Sequence, residues 1–182
     1  TGNTLSLHDA LPISTYKLLG GSYREKIPCY VSGVNAVTVE EQIEKIENWL
    51  EQGFTSFKIS LGYGVEKDIR HIEKLREAFG EKIQILTDIH WCYDFNDALR
   101  LGRAFEPLKV GFFECPMNAE IVERHTELCA ALDIPVALGA TFPTRCNFTA
   151  GLERAALAPA QQHIGGLGLT NSMRDVDVCG AT

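Results

Sequence analysis

The chain has 182 residues, 45% hydrophobic and 23% charged, which is the composition of a globular protein with the length of one ordinary domain. Its formal net charge of −7 argues against nucleic acid or an anionic membrane surface as the main partner. No apolar run approaches the length of a transmembrane helix, and the N-terminus lacks the basic and apolar regions of a secretory signal. We therefore expect a cytoplasmic protein.

The first 14 residues differ in character from the rest of the chain. They show no clear hydrophobic period, and the stretch TLSLHDALPIS resembles one translated frame of a sequencing adapter. We predict that residues 1–14 are not native and that the folded domain comprises residues 15–182. The alternative is a genuine N-terminal arm that contains His8 and Asp9.

From residue 15 onward, apolar runs alternate with stretches of helical spacing. The apolar runs predict strands at residues 27–32, 54–60, 83–88, 110–114, 135–138 and 158–163. The helical spacing predicts helices at residues 38–52, 65–79, 95–105, 119–132 and 145–153, and a last helix from residue 169. The first of these helices has Thr38 as its expected N-cap, with Glu41 three residues later, and Gly53 at its end.

About six βα units follow one another in this order. Such a series predicts a parallel α/β fold, because each parallel crossover requires a connecting helix. A closed barrel of this type has eight strands. We therefore predict an incomplete (β/α)₈ TIM-type barrel that is truncated at both ends.

Four residues stand at the carboxyl ends of predicted strands, namely Asp88, Glu114, Ala140 and His163. The strand ends of a parallel barrel converge on one rim, where the active site lies. Asp88 and Glu114 could share one Mg²⁺ ion, which prefers carboxylates together with water and substrate oxygens. The alternative is that each carboxylate is a solvated strand-end residue or a helix N-cap.

His90 and Lys58 are candidates for proton transfer and substrate binding. His90 lies two residues after Asp88, so both side chains would share one side of an extended segment. A neutral histidine there could transfer a proton near physiological pH, and Lys58 could contact a substrate carboxylate. The alternatives are a hydrogen-bonded strand-end histidine and a solvated lysine. We expect His71 and His125 to lie on the surface of their helices.

The six cysteines show neither a CxxC pair nor the spacing of a zinc site. Reduced thiols are therefore expected rather than a disulfide framework. Cys115 directly follows Glu114 and could face the site, but a packing role is the preferred interpretation.

Several segments together resemble the barrel domain of the mandelate racemase and muconate lactonizing branch of the enolase superfamily. They are TYKLLGGSYREKIPCYVSG, FKIS, TDIHW, FFECP, IPVALGATFPTR and QQHIGGLGLTNSM, and the resemblance extends over residues 15–182. It implies a Mg²⁺-dependent enzyme with a modified (β/α)₈ barrel that removes the α-proton of a carboxylate substrate. Family members also carry an N-terminal α+β capping domain, which we expect to be missing here.

Within that branch, the Asp-x-His step at residues 88–90 is most similar to sugar-acid dehydratases of the galactonate and mannonate type. Carried over by position, Asp88 and Glu114 would be Mg²⁺ ligands and His90 the acid or base. Many racemases of the branch have a second lysine where this chain has Ser60, which disfavours a racemase or cycloisomerase.

Two positions depart from the pattern of the family. Ala140 stands where the third metal ligand, a glutamate, is expected, and His163 stands where an aspartate usually supports a catalytic histidine. Loss of a carboxylate should weaken Mg²⁺ binding. His163 could substitute as a ligand, although imidazole suits zinc or manganese better.

The sequence therefore predicts a fragment of a Mg²⁺-dependent sugar-acid dehydratase-like protein that is impaired as written. It would act on a small sugar-acid carboxylate and eliminate water to give a 2-keto-3-deoxy acid. One alternative is a non-catalytic homologue that keeps the barrel as a ligand-binding scaffold. Another is a racemase or cycloisomerase. The sequence leaves open whether the full-length protein forms a homo-oligomer, as members of the family often form larger assemblies.

Overall fold

The computed structural model describes residues 28–138, apart from residues 119 and 121, together with residues 17, 20 and 21. The segment 1–14 and the elements predicted at 145–153, 158–163 and from 169 onward lie outside the described residues. In the described part of the chain, no helix combines the length and the apolar character needed to cross a bilayer.

Strands and helices alternate along the described residues as predicted. They are β1 (Val31–Ser32), α1 (Val39–Glu51), β2 (Ser56–Ser60), α2 (Val65–Phe79), β3 (Gln84–Asp88), α3 (Phe95–Phe105), β4 (Phe113–Glu114), α4 (Val122–Ala131) and β5 (Val136–Ala137). The predicted bounds of α2 and α3 are confirmed at both ends. All five strands are shorter than predicted, β1 and β4 most of all, and α4 begins three residues later than predicted. Val110 and Phe112 explain why the apolar run predicted a longer β4. Both side chains are buried, but they lie before the strand begins at Phe113.

The helix ends follow from local side-chain chemistry. The Thr38 hydroxyl accepts a hydrogen bond from the Glu41 amide at 3.2 Å, which confirms the predicted N-cap of α1. Asp94 caps α3 in the same way, accepting from the Asp97 amide at 2.9 Å. After α1 the chain reverses at Gly53, whose φ of 90° is a conformation that glycine adopts without strain.

The five strands form one parallel sheet in the order β1-β2-β3-β4-β5. Each strand pairs with its neighbour in sequence, and helices α1 to α4 likewise pack in consecutive pairs. A doubly wound sheet would reverse its strand order, whereas a barrel does not. The prediction of a parallel, singly wound α/β fold is therefore confirmed for the described residues.

The sheet has two different faces, because side chains alternate along each strand. One face packs against the helices as the main core and includes the fully or almost fully buried Phe57, Ile59, Ile85, Phe113 and Val136. On the other face Leu86, Phe112 and Ala137 form a second apolar cluster with Tyr30. This inner face also carries the polar residues at the strand ends, and the apolar cluster adjoins them, since Leu86 is in register with Lys58 and Ala137 with Glu114.

The expectation that His125 lies on the surface is wrong. The residue is fully buried, because its spacing from Leu128 and Leu132 places it on the packed side of α4. His71 is partly buried, and its Nε2 lies 2.6 Å from Oε1 of the buried Gln42.

Candidate active site at the carboxyl ends of the strands

The strand register brings the two carboxylates together. Ser60 pairs with Asp88, and Asp88 pairs with Glu114, so all three occupy the last positions of adjacent parallel strands. Paired residues of parallel strands project to the same face, which here is the inner face of the sheet. Glu114 is almost fully buried and the Asp88 side chain is 14% exposed. The two acids therefore form one site rather than two solvated strand ends.

Lys58 lies inside this site. Its Nζ is 2.8 Å from Oε2 of Glu114 and 3.3 Å from Oδ2 of Asp88. Its side chain is only 11% exposed, so it is not a solvated surface lysine. The ring of Tyr30 lies on another side of the ammonium, with its centroid 5.9 Å from Nζ. Lys58 thus joins β2 to β4 across the intervening β3.

Burial and charge together set the ionisation of the site. Burial raises the pKa of Glu114, repulsion by Asp88 raises it further, and Lys58 offsets part of the rise. Burial alone would lower the pKa of Lys58, but the attraction and hydrogen bond of Glu114 and the attraction of Asp88 outweigh it, so that pKa is raised. The lysine therefore stays charged. Two carboxylates facing one ammonium leave excess negative charge when both are ionised, which a bound cation would offset.

His90 lies beside Asp88, but the geometry differs from the prediction. Nδ1 of His90 is 3.6 Å from Oδ1 of Asp88, and its backbone N–H donates to the same oxygen at 3.2 Å. The predicted extended segment is wrong, because His90 and Trp91 have φ values of 54° and 62°. The chain turns here, held by a 2.8 Å hydrogen bond from the Trp91 amide to the Cys115 carbonyl. The imidazole, 43% exposed, is open to a small molecule at the rim.

Cys115 borders the two carboxylates as well as packing in the core. It is buried, and its Sγ and one oxygen from each of Asp88 and Glu114 all lie within 4.8 Å of one another. Burial, followed by the nearby negative charges of Glu114 and Asp88, raises the pKa of the thiol, so it stays protonated. All four cysteines among the described residues are free thiols.

The donor set fits a hard divalent cation. Asp88 and Glu114 offer carboxylate oxygens, the preferred ligands of Mg²⁺, whereas a protonated thiol at Cys115 does not suit that ion. The other two predicted positions, Ala140 and His163, lie outside the described residues. The structure thus brings together Asp88, Glu114, Lys58 and His90.

Sequence reasoning missed two residues that bear on this site. Tyr30 precedes β1, and its ring reaches Lys58 through the pairing of β1 with β2. Asp68 lies in the first turn of α2, where an acidic residue is common, and nothing local shows that its side chain is fully buried.

Comparison with known proteins places the chain among related sequences and structures. The profile of the enolase C-terminal domain-like family matches residues 41–182. Arabinonate dehydratase of Saccharolobus solfataricus is 31% identical over 154 residues, which are 82% of this chain and 41% of that protein. D-galactarolactone cycloisomerase of Agrobacterium fabrum is 30% identical over 155 residues, which are 83% of this chain and 41% of that protein.

A solved structure gives the same result for the fold. The crystal structure of a member of the enolase superfamily from Polaromonas sp. JS666 matches with a TM-score of 0.71 and 28% sequence identity, covering 78% of this chain and 38% of that one. The chain therefore spans less than half of the length of these relatives.

Proposed function

The chain belongs to the enolase C-terminal domain-like family, and on that premise we propose that its residues serve a Mg²⁺-dependent sugar-acid dehydratase. The reaction removes the α-proton of a sugar-acid carboxylate and eliminates water to give a 2-keto-3-deoxy acid. One observation carries the proposal, which is the convergence of Asp88, Glu114 and Lys58 at the strand ends with His90 beside them. The similarity to an arabinonate dehydratase supports the substrate class.

Asp88 and Glu114 would hold the metal ion. When bound, Mg²⁺ supplies positive charge that stabilises the negative charge developing on the substrate carboxylate as the α-proton leaves. Glu114, with 3% of its side chain exposed, favours this role because an ionised carboxylate at such a depth requires cationic partners.

Lys58 binds and orients the substrate in this proposal. Its ammonium has three N–H groups, and two of them reach Glu114 and Asp88. In the described part of the chain, the third is left for an oxygen of the substrate carboxylate. The raised pKa of Lys58 keeps it charged for that contact.

In this proposal, His90 is the residue that exchanges protons with the substrate. Nδ1 lies beside Asp88, 3.6 Å from its Oδ1, so we assign to Nε2 the exchange of a proton with the substrate. The exposure of the imidazole allows a substrate to reach it, whereas the carboxylates below it are largely covered. A histidine can donate a proton to the leaving hydroxyl group in the same way as it accepts one.

Two other functions stand as alternatives. A cycloisomerase is suggested by the similarity to D-galactarolactone cycloisomerase. Ser60 disfavours a cycloisomerase that uses a second base on β2. Its hydroxyl lies in register with Asp88 but cannot accept a proton as a lysine at that position could. A ligand-binding scaffold without catalysis is the outcome expected if the alanine at position 140 leaves the metal bound too weakly.

Incubation with a panel of aldonic and aldaric acids and Mg²⁺ in D₂O separates the three functions. Release of a 2-keto-3-deoxy acid supports the dehydratase. Deuterium at the α-carbon without loss of water indicates a racemase, and isomerisation of a sugar-acid lactone added to the panel indicates a cycloisomerase. Either result contradicts the proposal. Neither product, from a folded protein that binds Mg²⁺, indicates a scaffold. His90→Asn is the matched variant, since it should abolish product formation while Mg²⁺ binding persists.

A further inference from the structure

Asp68 is a fully buried carboxylate outside the group at the strand ends. Its Oδ2 accepts hydrogen bonds from the Gly62 amide at 2.9 Å and from the Tyr93 hydroxyl at 2.6 Å, and its Oδ1 accepts from the Tyr63 amide at 3.1 Å. A buried carboxylate is tolerated only when such donors replace water. Asp68 therefore fixes the segment between β2 and α2 in one conformation.

Tyr93 links this segment to the turn that carries His90. Its hydroxyl donates to Asp68 and accepts from the Gly64 amide at 2.8 Å, while its own amide donates to the Pro116 carbonyl at 3.2 Å. Three consecutive strand-to-helix connections thus meet at one residue, two of them through its side chain and the third through its backbone. Burial, together with the hydrogen bond to Asp68, raises the pKa of Tyr93, so the hydroxyl keeps the proton that it donates.

The turn between β3 and Tyr93 is a strained segment. His90 and Trp91 both adopt positive φ, which costs free energy for residues with a side chain. A neighbouring contact limits its movement, since a Cβ atom added at Gly62 would lie 2.8 Å from Sγ of Cys92 and 3.0 Å from the Ile89 carbonyl oxygen. Such a conformation persists only where the surrounding structure holds it.

We propose that Asp68 and Tyr93 are positioning residues that hold the turn of residues 89–92, and with it the imidazole of His90, against the carboxylates at the strand ends. Neither side chain belongs to the group that would contact the metal ion or the substrate. The catalytic consequence rests on the proposed function, whereas the positioning itself does not. Loss of the Tyr93 hydroxyl leaves a buried charge short of one donor and frees the turn.

The test measures the conformation of the turn itself, without the need for a substrate. The chain has two tryptophans, so Trp49→Phe leaves Trp91, which is 38% exposed beside His90, as the reporter. In that background Tyr93→Phe keeps the ring and removes only the hydroxyl. Tyr63→Phe is the matched control, because it makes the same change on the exposed side chain of the adjacent segment.

We expect Tyr93→Phe to increase quenching of Trp91 by acrylamide and to shift or broaden the imidazole signals of His90 in NMR spectra. Loss of one hydrogen bond to a charged group should raise the population of the displaced turn about tenfold. Tyr63→Phe should leave both readouts unchanged. If turnover is measured, kcat should fall for Tyr93→Phe in proportion to the fraction of the turn that is displaced, while KM changes little.

The proposal is overturned if Tyr93→Phe and Tyr63→Phe give the same Trp91 quenching and the same His90 signals as the parent. Asp68→Asn provides a second measurement, since an amide retains the size of the carboxylate but presents N–H groups to the donors, and it should displace the turn further. Absence of turnover in the parent would contradict the proposed function alone, because the fluorescence and NMR readouts require no substrate.

Discussion

Nζ of Lys58 lies 2.8 Å from Oε2 of Glu114, a residue 56 positions later on a strand that is not adjacent to its own. The ammonium reaches over β3 and contacts Asp88 on the way. Three strands are therefore joined at their carboxyl ends by one ion-paired group. Because two of its members are acids that repel each other, the stability of this group and its affinity for a cation depend on each other.

Replacement of Lys58 by methionine should destabilise the protein by about 3 kcal/mol at neutral pH, because it leaves the two acids without their cation. The free energy of unfolding from urea titration measures this loss. Millimolar Mg²⁺ should recover part of it, since a ligand that binds only the folded state stabilises that state. Lys74→Met is the control, because Lys74 pairs with Glu40 at an exposed site and should cost less than about 1 kcal/mol. Equal losses in the two variants would contradict a stabilising role of the buried group.

Asp88→Asn and Glu114→Gln should each weaken divalent cation binding by at least about tenfold, because each removes a carboxylate that would contact the ion. Calorimetry with Mg²⁺, or electron paramagnetic resonance with Mn²⁺, measures the affinity without any substrate. Asp94→Asn is the matched control, since it removes one negative charge nearby while asparagine caps α3 as well as aspartate does. Unchanged affinity in both site variants would rule out this metal site.

Acidification should destabilise the protein through His71. Burial lowers the pKa of His71 below 6.5, and the attraction of the Asp68 carboxylate offsets part of that decrease. As the pH falls below about 6.5, the unfolded chain takes up a proton that the folded chain does not, so stability decreases until the folded pKa is reached. His71→Gln removes the titrating imidazole while keeping a polar partner for Gln42. Urea titrations at several pH values should show that the free energy of unfolding decreases less on acidification in the variant than in the parent. An equal decrease in both proteins would contradict the role given to His71.

Arg76→Lys should lower the free energy of unfolding by about 2–3 kcal/mol without affecting the strand-end site. The guanidinium donates hydrogen bonds to the carbonyls of Leu108, Gly80, Ile83 and Lys109 at 2.6–3.0 Å. A lysine cannot reproduce that planar set of donors. These carbonyls lie at the amino ends of β3 and β4, opposite the site, so Mg²⁺ binding should be retained.

Arg100→Lys is the control for this prediction. Arg100 is exposed, and within the described residues its partners are the side chains of Asp97 and Glu66, for which a lysine substitutes well. Urea titration should separate the two variants clearly. A loss for Arg76→Lys no larger than that for Arg100→Lys would show that the carbonyl contacts add little to stability.

The sequence by itself determined the alternation of strands and helices. Helices α2 and α3 begin and end where apolar spacing predicts, and α1 begins after its predicted N-cap Thr38, because both signals act within a few residues of each other. The same local reasoning located Asp88 and Glu114 at neighbouring strand ends. Their convergence then followed from the parallel order of the strands.

Only the tertiary structure decided which of these side chains are buried and what they contact. From the sequence, Lys58 could equally be a solvated lysine, and His125 was expected at the surface. Asp68 resembled an ordinary acidic residue in the first turn of a helix. All three are buried in the structure. The turn at His90 was equally hidden, since its strained backbone depends on partners in other segments. Burial and charge pairing depend on strand register and on residues tens of positions apart, whereas hydrophobic period reports only on near neighbours in the chain.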